Sequence, residues 1–116
     1  MSLEEIEQLL LAHRISPNKL LGQNFMIAPA LYPKLCSYAE LTRSDVVLDA
    51  GAGFGFLTRF LSDKCKCIVA VEKDAQVAAV LREKNKGLGN VTVVEGDMLK
   101  VKLPQFNKVI AIPPYY

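Results

Sequence analysis

Apolar residues recur along this chain with two different periods, and the change of period divides it near residue 45. Over the first forty residues the spacing is helical. Ser2 with Glu5 makes a capping box, and Ile6, Leu9, Leu10 and His13 follow at helical spacing. That helix is expected to stop near Ser16-Pro17, because a residue before proline is pushed out of helical geometry. The loop "NKLLGQNFMI" (18–27) leads to a second predicted helix from about Pro29 to Leu41, with Leu31, Leu35 and Tyr38 on one face. Pro33 fits there only within the first turn.

From Asp45 onward, short apolar runs alternate with helical stretches. "VVLDA" (46–50), "CIVAVE" (67–72), "NVTVVEGD" (90–97) and "NKVIAI" (107–112) read as strands bounded by Gly, Asn and Pro. "FLTRFLSDK" (56–64) and "DAQVAAVLREKNK" (74–86) read as helices, the second capped by Asp74. Strands that are apolar throughout imply a sheet covered on both faces, hence parallel. The order strand, helix, strand, helix, strand, strand predicts an α/β fold, the N-terminal half of a doubly wound, Rossmann-like sheet preceded by two helices. The chain thus divides into a helical segment, 1–44, and an α/β half-domain, 45–116. The second reads as cut short, since a doubly wound sheet continues beyond its switch point.

Composition narrows the picture. A chain of 116 residues that is 51% hydrophobic makes one globular unit with a core. Its net charge of +2 permits an RNA partner without requiring one. Apolar runs such as Ile68 to Val71 fall far short of the ~20 residues that span a bilayer, so no membrane role is expected. Glu4, Glu5 and Glu7 near the start are unlike a signal peptide, which points to a cytoplasmic protein. The odd set Cys36, Cys65 and Cys67 suits reduced thiols, and Cys65-Lys66-Cys67 is too tight for a zinc knuckle. No metal is expected.

"DAGAGFGF" (49–56) raises the functional question. It places Gly51, Gly53 and Gly55, three of seven glycines, between the first predicted strand and the first α/β helix. Backbone N–H groups can face a ligand there, or the glycines can serve a tight turn alone. The dinucleotide fingerprint would need glycine at position 56, where Phe56 stands, which argues against NAD. Glu72 ends the second strand, where a carboxylate can take both hydroxyls of a ribose. Gly96-Asp97 ends the third, and Asp97 could accept from an exocyclic adenine amine. Three such features along one crevice edge predict an adenosine-containing ligand.

Taken together, "DAGAGFG…VAVEKD…VVEGDM" resembles the class I methyltransferases that bind S-adenosylmethionine. "LGQNFMI" (21–27) and "VIAIPPYY" (109–116) narrow the resemblance to the ribosomal RNA adenine dimethyltransferases, over residues 18–116. The resemblance implies dimethylation of N6 of two adjacent adenosines near the 3′ end of small-subunit rRNA, in ribosome biogenesis. It implies S-adenosylmethionine as cofactor and the small-subunit RNA or pre-ribosomal subunit as partner. Cofactor contacts carried over from the family fall on Asn24, Met26, Gly51, Glu72 and Asp97, with Asn24 and Met26 at the methionine end. Met26 stands where the family usually has leucine. Asp49 takes the place of an acid near the methionine amino group, and Met98 either packs on the adenine or belongs to the core. The target-adenine motif falls on Ile112, Pro113, Pro114 and Tyr115. Here the chain departs from the family. Ile112 stands where an asparagine would accept a hydrogen bond from the target amine, leaving the Pro113 carbonyl and stacking on Tyr115. A competing expectation is a non-catalytic chain that binds cofactor or RNA only.

Overall fold

A computed structural model of the chain describes residues 32–110. The expected first helix, the 18–27 loop and the stretch from Ala111 onward lie outside the described residues. So do the candidates Asn24, Met26, Ile112, Pro113, Pro114 and Tyr115. Within the described residues the elements are α1 (Tyr32–Tyr38), β1 (Val46–Ala50), α2 (Phe56–Leu61), β2 (Cys67–Glu72), α3 (Ala75–Lys84), β3 (Val91–Glu95) and β4 (Lys108–Val109).

The four strands form one sheet in the order β3-β2-β1-β4, and every pairing is parallel. β1 and β2 fall on the residues expected from their apolar runs. Their register aligns Val46 with Cys67 and Ala50 with Val71. The chain builds outward from β1 through β2 to β3, then returns to the other side of β1. The point of reversal, between β1 and β4, is where ligands gather in open α/β sheets, at the carboxyl ends of the strands.

Side chains alternate across the sheet. One face carries Val47, Ile68 and Ala70 against Tyr32 of α1, Leu57 and Leu61 of α2, and Leu81 of α3. The other carries Leu48, Val69 and Val71, with Val101 and Leu103 packed on it. Among the described residues, then, helices cover one face and the strand-free segment after β3 covers the other. The expectation of burial throughout holds for the centre and fails at the rims: Thr92 and Glu95 of β3 and Val109 of β4 are exposed.

A capping residue sets where α3 begins. Asp74 starts α3 as expected, its Oδ1 accepting from the N–H groups of Gln76 at 2.9 Å and Val77 at 3.1 Å. Helix α1 keeps Pro33 in its first turn, but its orientation corrects the sequence reading. Tyr38 is 83% exposed, whereas Tyr32 is 8% exposed and packs on Phe60 with ring centroids 5.3 Å apart. The buried stripe is Tyr32, Leu35, Cys36 and Ala39, spaced i, i+3, i+4, i+7. Tyr38 lies about 240° around from Tyr32 at 3.6 residues per turn, so a helix seated on Tyr32 must turn Tyr38 to water. The helix also ends before Leu41, because Glu40 takes a left-handed φ of 50° that closes it.

Candidate functional site

The carboxyl ends of β1, β2 and β3 surround a cleft of about 190 Å³, lined by Gly51, Val71, Glu72, Lys73 and Gly96 through Leu99. Of the residues singled out in the sequence, Gly51, Glu72, Asp97 and Met98 meet there. Its volume is below the roughly 300–1,000 Å³ of drug-sized ligand sites, so the cleft has room for only part of such a ligand.

The glycine loop is built as a tight turn, one of the two expectations. Gly51, Gly53 and Gly55 all have positive φ, at 67°, 62° and 87°, in the left-handed region that costs side chains with a Cβ. A Cβ on Gly55 would also strike Asn85 and Leu81 of the α3 region. Phe54, fully buried, anchors the loop and meets Phe56 edge to face. The loop's N–H groups are largely engaged inside the protein. Ala52 donates to the Val71 carbonyl at 2.9 Å, Gly55 to the Ala52 carbonyl at 3.1 Å, and Gly53 to Glu72 Oε1 at 3.0 Å. These three N–H groups are therefore not free donors toward the cleft. The glycines supply the shape of a turn that brings Gly51 to the cleft without a side chain.

Glu72 joins the loop to the next helix. It is 3% exposed, lines the cleft, and accepts from Gly53 N–H through Oε1 and from Asp74 N–H at 2.9 Å through Oε2. An ionised carboxylate has about four acceptor sites, so two remain for hydroxyl donors in the cleft. Asp97 is exposed, and its Oδ1 accepts from the Leu99 N–H at 2.9 Å in a turn. Met98 is 40% exposed on the cleft wall, which removes it from the core.

Asp49 stands apart from the cleft lining. It is 1% exposed, and its Oδ2 accepts from the Thr58 hydroxyl at 2.7 Å. Burial pushes its carboxyl up to about 7, with the Glu72 charge acting in the same direction and the Thr58 hydrogen bond opposing both. Thr58 escaped the sequence reading. A lone hydroxyl residue within FLTRFL of α2, nine positions after Asp49, was the available signal. Lys73 and Leu99 were also unforeseen in the cleft wall, although each directly adjoins a predicted site residue.

Comparison with known proteins is consistent with this geometry. The model of the ribosomal RNA adenine dimethylase family matches residues 14–113. The chain belongs to that family. A probable ribosomal RNA small subunit methyltransferase A from Pyrococcus abyssi is 40% identical over 107 residues, 92% of this chain and 39% of that protein. The chain therefore spans about two-fifths of the length of the curated relative. Among solved structures, a dimethyladenosine transferase from Plasmodium falciparum superposes with a TM-score of 0.68 at 30% identity, over 76% of this chain and 33% of that one. The 23S rRNA methyltransferase ErmE superposes with a TM-score of 0.67 at 37% identity, over 77% and 37%. The sheet is the N-terminal part of a Rossmann-like class I methyltransferase fold, as family membership leads one to expect.

Among the described residues no three His, Cys, Asp or Glu side chains stand together as metal ligands, and no helix is long and apolar enough to cross a membrane. The three cysteines are free thiols.

Proposed function

We propose that the chain binds S-adenosylmethionine in the cleft and serves N6,N6-dimethylation of adenosines in small-subunit ribosomal RNA. The observation that carries this reading is the meeting of Gly51, Glu72, Asp97 and Met98 at one cleft in a member of the adenine dimethylase family. The residues present suit the cofactor. Glu72 has acceptor capacity left for two ribose hydroxyls, Asp97 can take the adenine amine through the oxygen not bonded to Leu99, and Met98 offers an apolar wall. S-adenosylmethionine carries its methyl on a sulfonium, so the chemistry needs neither a metal nor a covalent nucleophile. The protein's task is positioning: to hold the cofactor along the strand ends, receive a flipped adenine and exclude water. In this reading Asn24 and Met26 meet the methionine end, and Ile112, Pro113, Pro114 and Tyr115 receive the adenine. The 1–44 segment then supplies the GQNF loop and 45–116 the cofactor-binding half-domain. A cytoplasmic location and a pre-ribosomal small subunit as partner follow from the same reading.

Ile112 favours a second reading, a chain that binds cofactor or RNA without transferring methyl, because isoleucine cannot accept a hydrogen bond from the target amine. Incorporation of tritiated methyl into under-methylated small subunits separates the two. Incorporation supports transfer. Binding of cofactor or of RNA with no incorporation supports the second reading, and absence of both kinds of binding rejects both.

A further inference from the structure

Residues 59–66 and 84–90 are the exits of α2 and α3 with the turns that lead into β2 and β3, at the amino ends of the strands. They hold five cations, Arg59, Lys64, Lys66, Lys84 and Lys86, against one carboxylate, Asp63. That is an excess of four, where the whole chain carries +2. Side-chain contacts lock the two segments together. Asn90 Nδ2 donates to the Ser62 carbonyl at 2.6 Å and the Lys66 carbonyl at 3.3 Å, and Arg59 donates to the Lys84 carbonyl at 2.9 Å. Lys64 is neutralised by Asp63 at 2.8 Å. Among the described residues no carboxylate pairs with the other four cations. Arg43, exposed in the turn before β1 with its charge reaching Asp63, adds a further cation.

Arg59 and Lys84 have an internal use, since cations complement the carbonyl end of α3. Arg43 and Lys66 stand on other elements and Lys86 beyond the α3 cap, so that helix end does not call for them. Like charges gathered on one edge repel one another, and a polyanion relieves that cost. Within these two segments no aromatic ring is exposed; Phe60 is half-buried, with Lys64 Nζ 4.0 Å from its ring centre. Single-stranded RNA is gripped by stacking its bases on aromatic rings, whereas an RNA helix offers shape and phosphates. Rigidly held cations without stacking rings therefore fit the helix. At Gly87 and Gly89 nothing lies within 4 Å of where a Cβ would stand, which leaves the turn after Lys86 open to close approach.

We propose that this edge is a second RNA-contacting surface, where Arg43, Lys66, Lys84 and Lys86 hold phosphates of a double-helical segment of the substrate RNA. The inference rests on the RNA-substrate reading above and goes beyond it, because this edge and the cleft lie at opposite ends of the sheet. β2 separates Lys66 from Glu72, and its length at ~3.3 Å per residue is about 17 Å. A substrate that engages both ends is folded RNA and not a short single strand. Phosphate contacts carry no sequence information, so this surface holds and orients while the cleft end meets the adenosine.

The test is fluorescence anisotropy of labelled RNA duplexes of two unrelated sequences, titrated with the full chain over a range of KCl concentrations. Each phosphate contact contributes about 0.7–0.9 to the slope of log affinity against log salt. The triple variant Arg43→Gln, Lys66→Gln, Lys86→Gln is expected to flatten that slope by about 2 and to weaken binding at least roughly tenfold at low salt, alike for both sequences. Lys86→Gln alone, at an exposed position, flattens it by a little under about 1, and Lys86→Arg, which keeps the charge, does not. Affinity for S-adenosylmethionine stays within about twofold, the additivity expected of distant sites. A parallel loss of cofactor affinity would assign the effect to the fold and overturn the proposal. A slope unchanged in both glutamine variants, with the duplexes still bound, overturns it and leaves the substrate reading intact. So does binding of single strands without duplexes, or of poly-glutamate as tightly as duplex, which would make the edge a surface for acidic protein. An unaltered chain that binds no RNA of any kind rejects the RNA-substrate reading itself, and the proposal with it.

Discussion

Asp45 and Asp49 are four residues apart on and just before one strand, and the two ends of the sheet treat them oppositely. At the amino end, Asp45 meets Lys108 Nζ at 2.8 Å, Asn107 Nδ2 at 2.7 Å and the Thr42 N–H at 2.7 Å. The Lys108 and Asn107 contacts hold its carboxyl well below the usual carboxylate range. Asn107 also accepts from the Val46 N–H at 2.6 Å, and Lys108 donates to the Glu40 carbonyl at 2.6 Å, so one cluster ties α1's exit, β1 and β4 together. At the carboxyl end, Asp49 has a hydroxyl and no cation, and burial drives its carboxyl up to about 7. The difference is one of charge compensation. One end has its charge neutralised by the protein, which fixes β4 beside β1. The other keeps a carboxylate short of a cation beneath a glycine turn, a tension that stability alone would remove.

That contrast can be broken from either end. The largest effect is expected from Asp49→Asn. The native carboxyl titrates near 7 and the unfolded one near 4, so the native state holds a proton in between that the unfolded state lacks. Stability from this site is therefore lost as pH rises from about 4 to 7. Three units at about 1.4 kcal/mol each set an upper bound of roughly 4 kcal/mol. Asp49→Asn should raise stability above pH 7 by a substantial part of that and flatten the slope, measured by denaturant unfolding between pH 5 and 8. A variant no more stable at pH 8 would show that Asp49 is satisfied as it stands.

Gly55→Ala should cost about 3 kcal/mol, from a left-handed φ and a Cβ driven into Leu81 and Asn85. Its melting temperature should drop at every pH alike, since nothing in that strain titrates. At the opposite end, Asn107→Ala removes the side-chain acceptor for Val46 N–H and a donor to Asp45, about 2 kcal/mol together. This loss should leave the slope between pH 5 and 8 untouched, because Asp45 titrates far below that window. A changed slope would mean that the two ends are coupled. The smallest effect belongs to Arg82→Ala, which breaks an exposed 3.3 Å pair with Glu95 and should shift stability by less than about 0.5 kcal/mol.

Much of this was legible in the chain. The apolar runs located β1 and β2 to the residue, the Asp74 cap located the start of α3, and Gly51, Glu72 and Asp97 came together at one cleft. Local pattern suffices where a period or a cap decides. It failed where the partner is distant in sequence. The face of α1 depends on Phe60 and the sheet below it, and Tyr38 fits a helical stripe as well as Tyr32 until that surface exists. The loop's N–H groups are consumed by Val71 and Glu72, about twenty residues away. Asn107 meets Asp45 across more than sixty residues, and no local signal marks that clamp.

Glu72 offers the most direct test of the proposed cofactor site, because its side chain both braces the glycine loop and lines the cleft. Calorimetric titration with S-adenosylmethionine at pH 8 should show saturable one-to-one binding to the unaltered chain. In Glu72→Gln the amide brings a donor where two N–H groups require acceptors and ribose hydroxyls seek one. The affinity should fall by roughly 1.5–3 kcal/mol, the worth of a hydrogen bond to a charged group, while far-ultraviolet circular dichroism stays that of the unaltered chain. Equal affinity in the two proteins would contradict the assignment of this cleft to the cofactor.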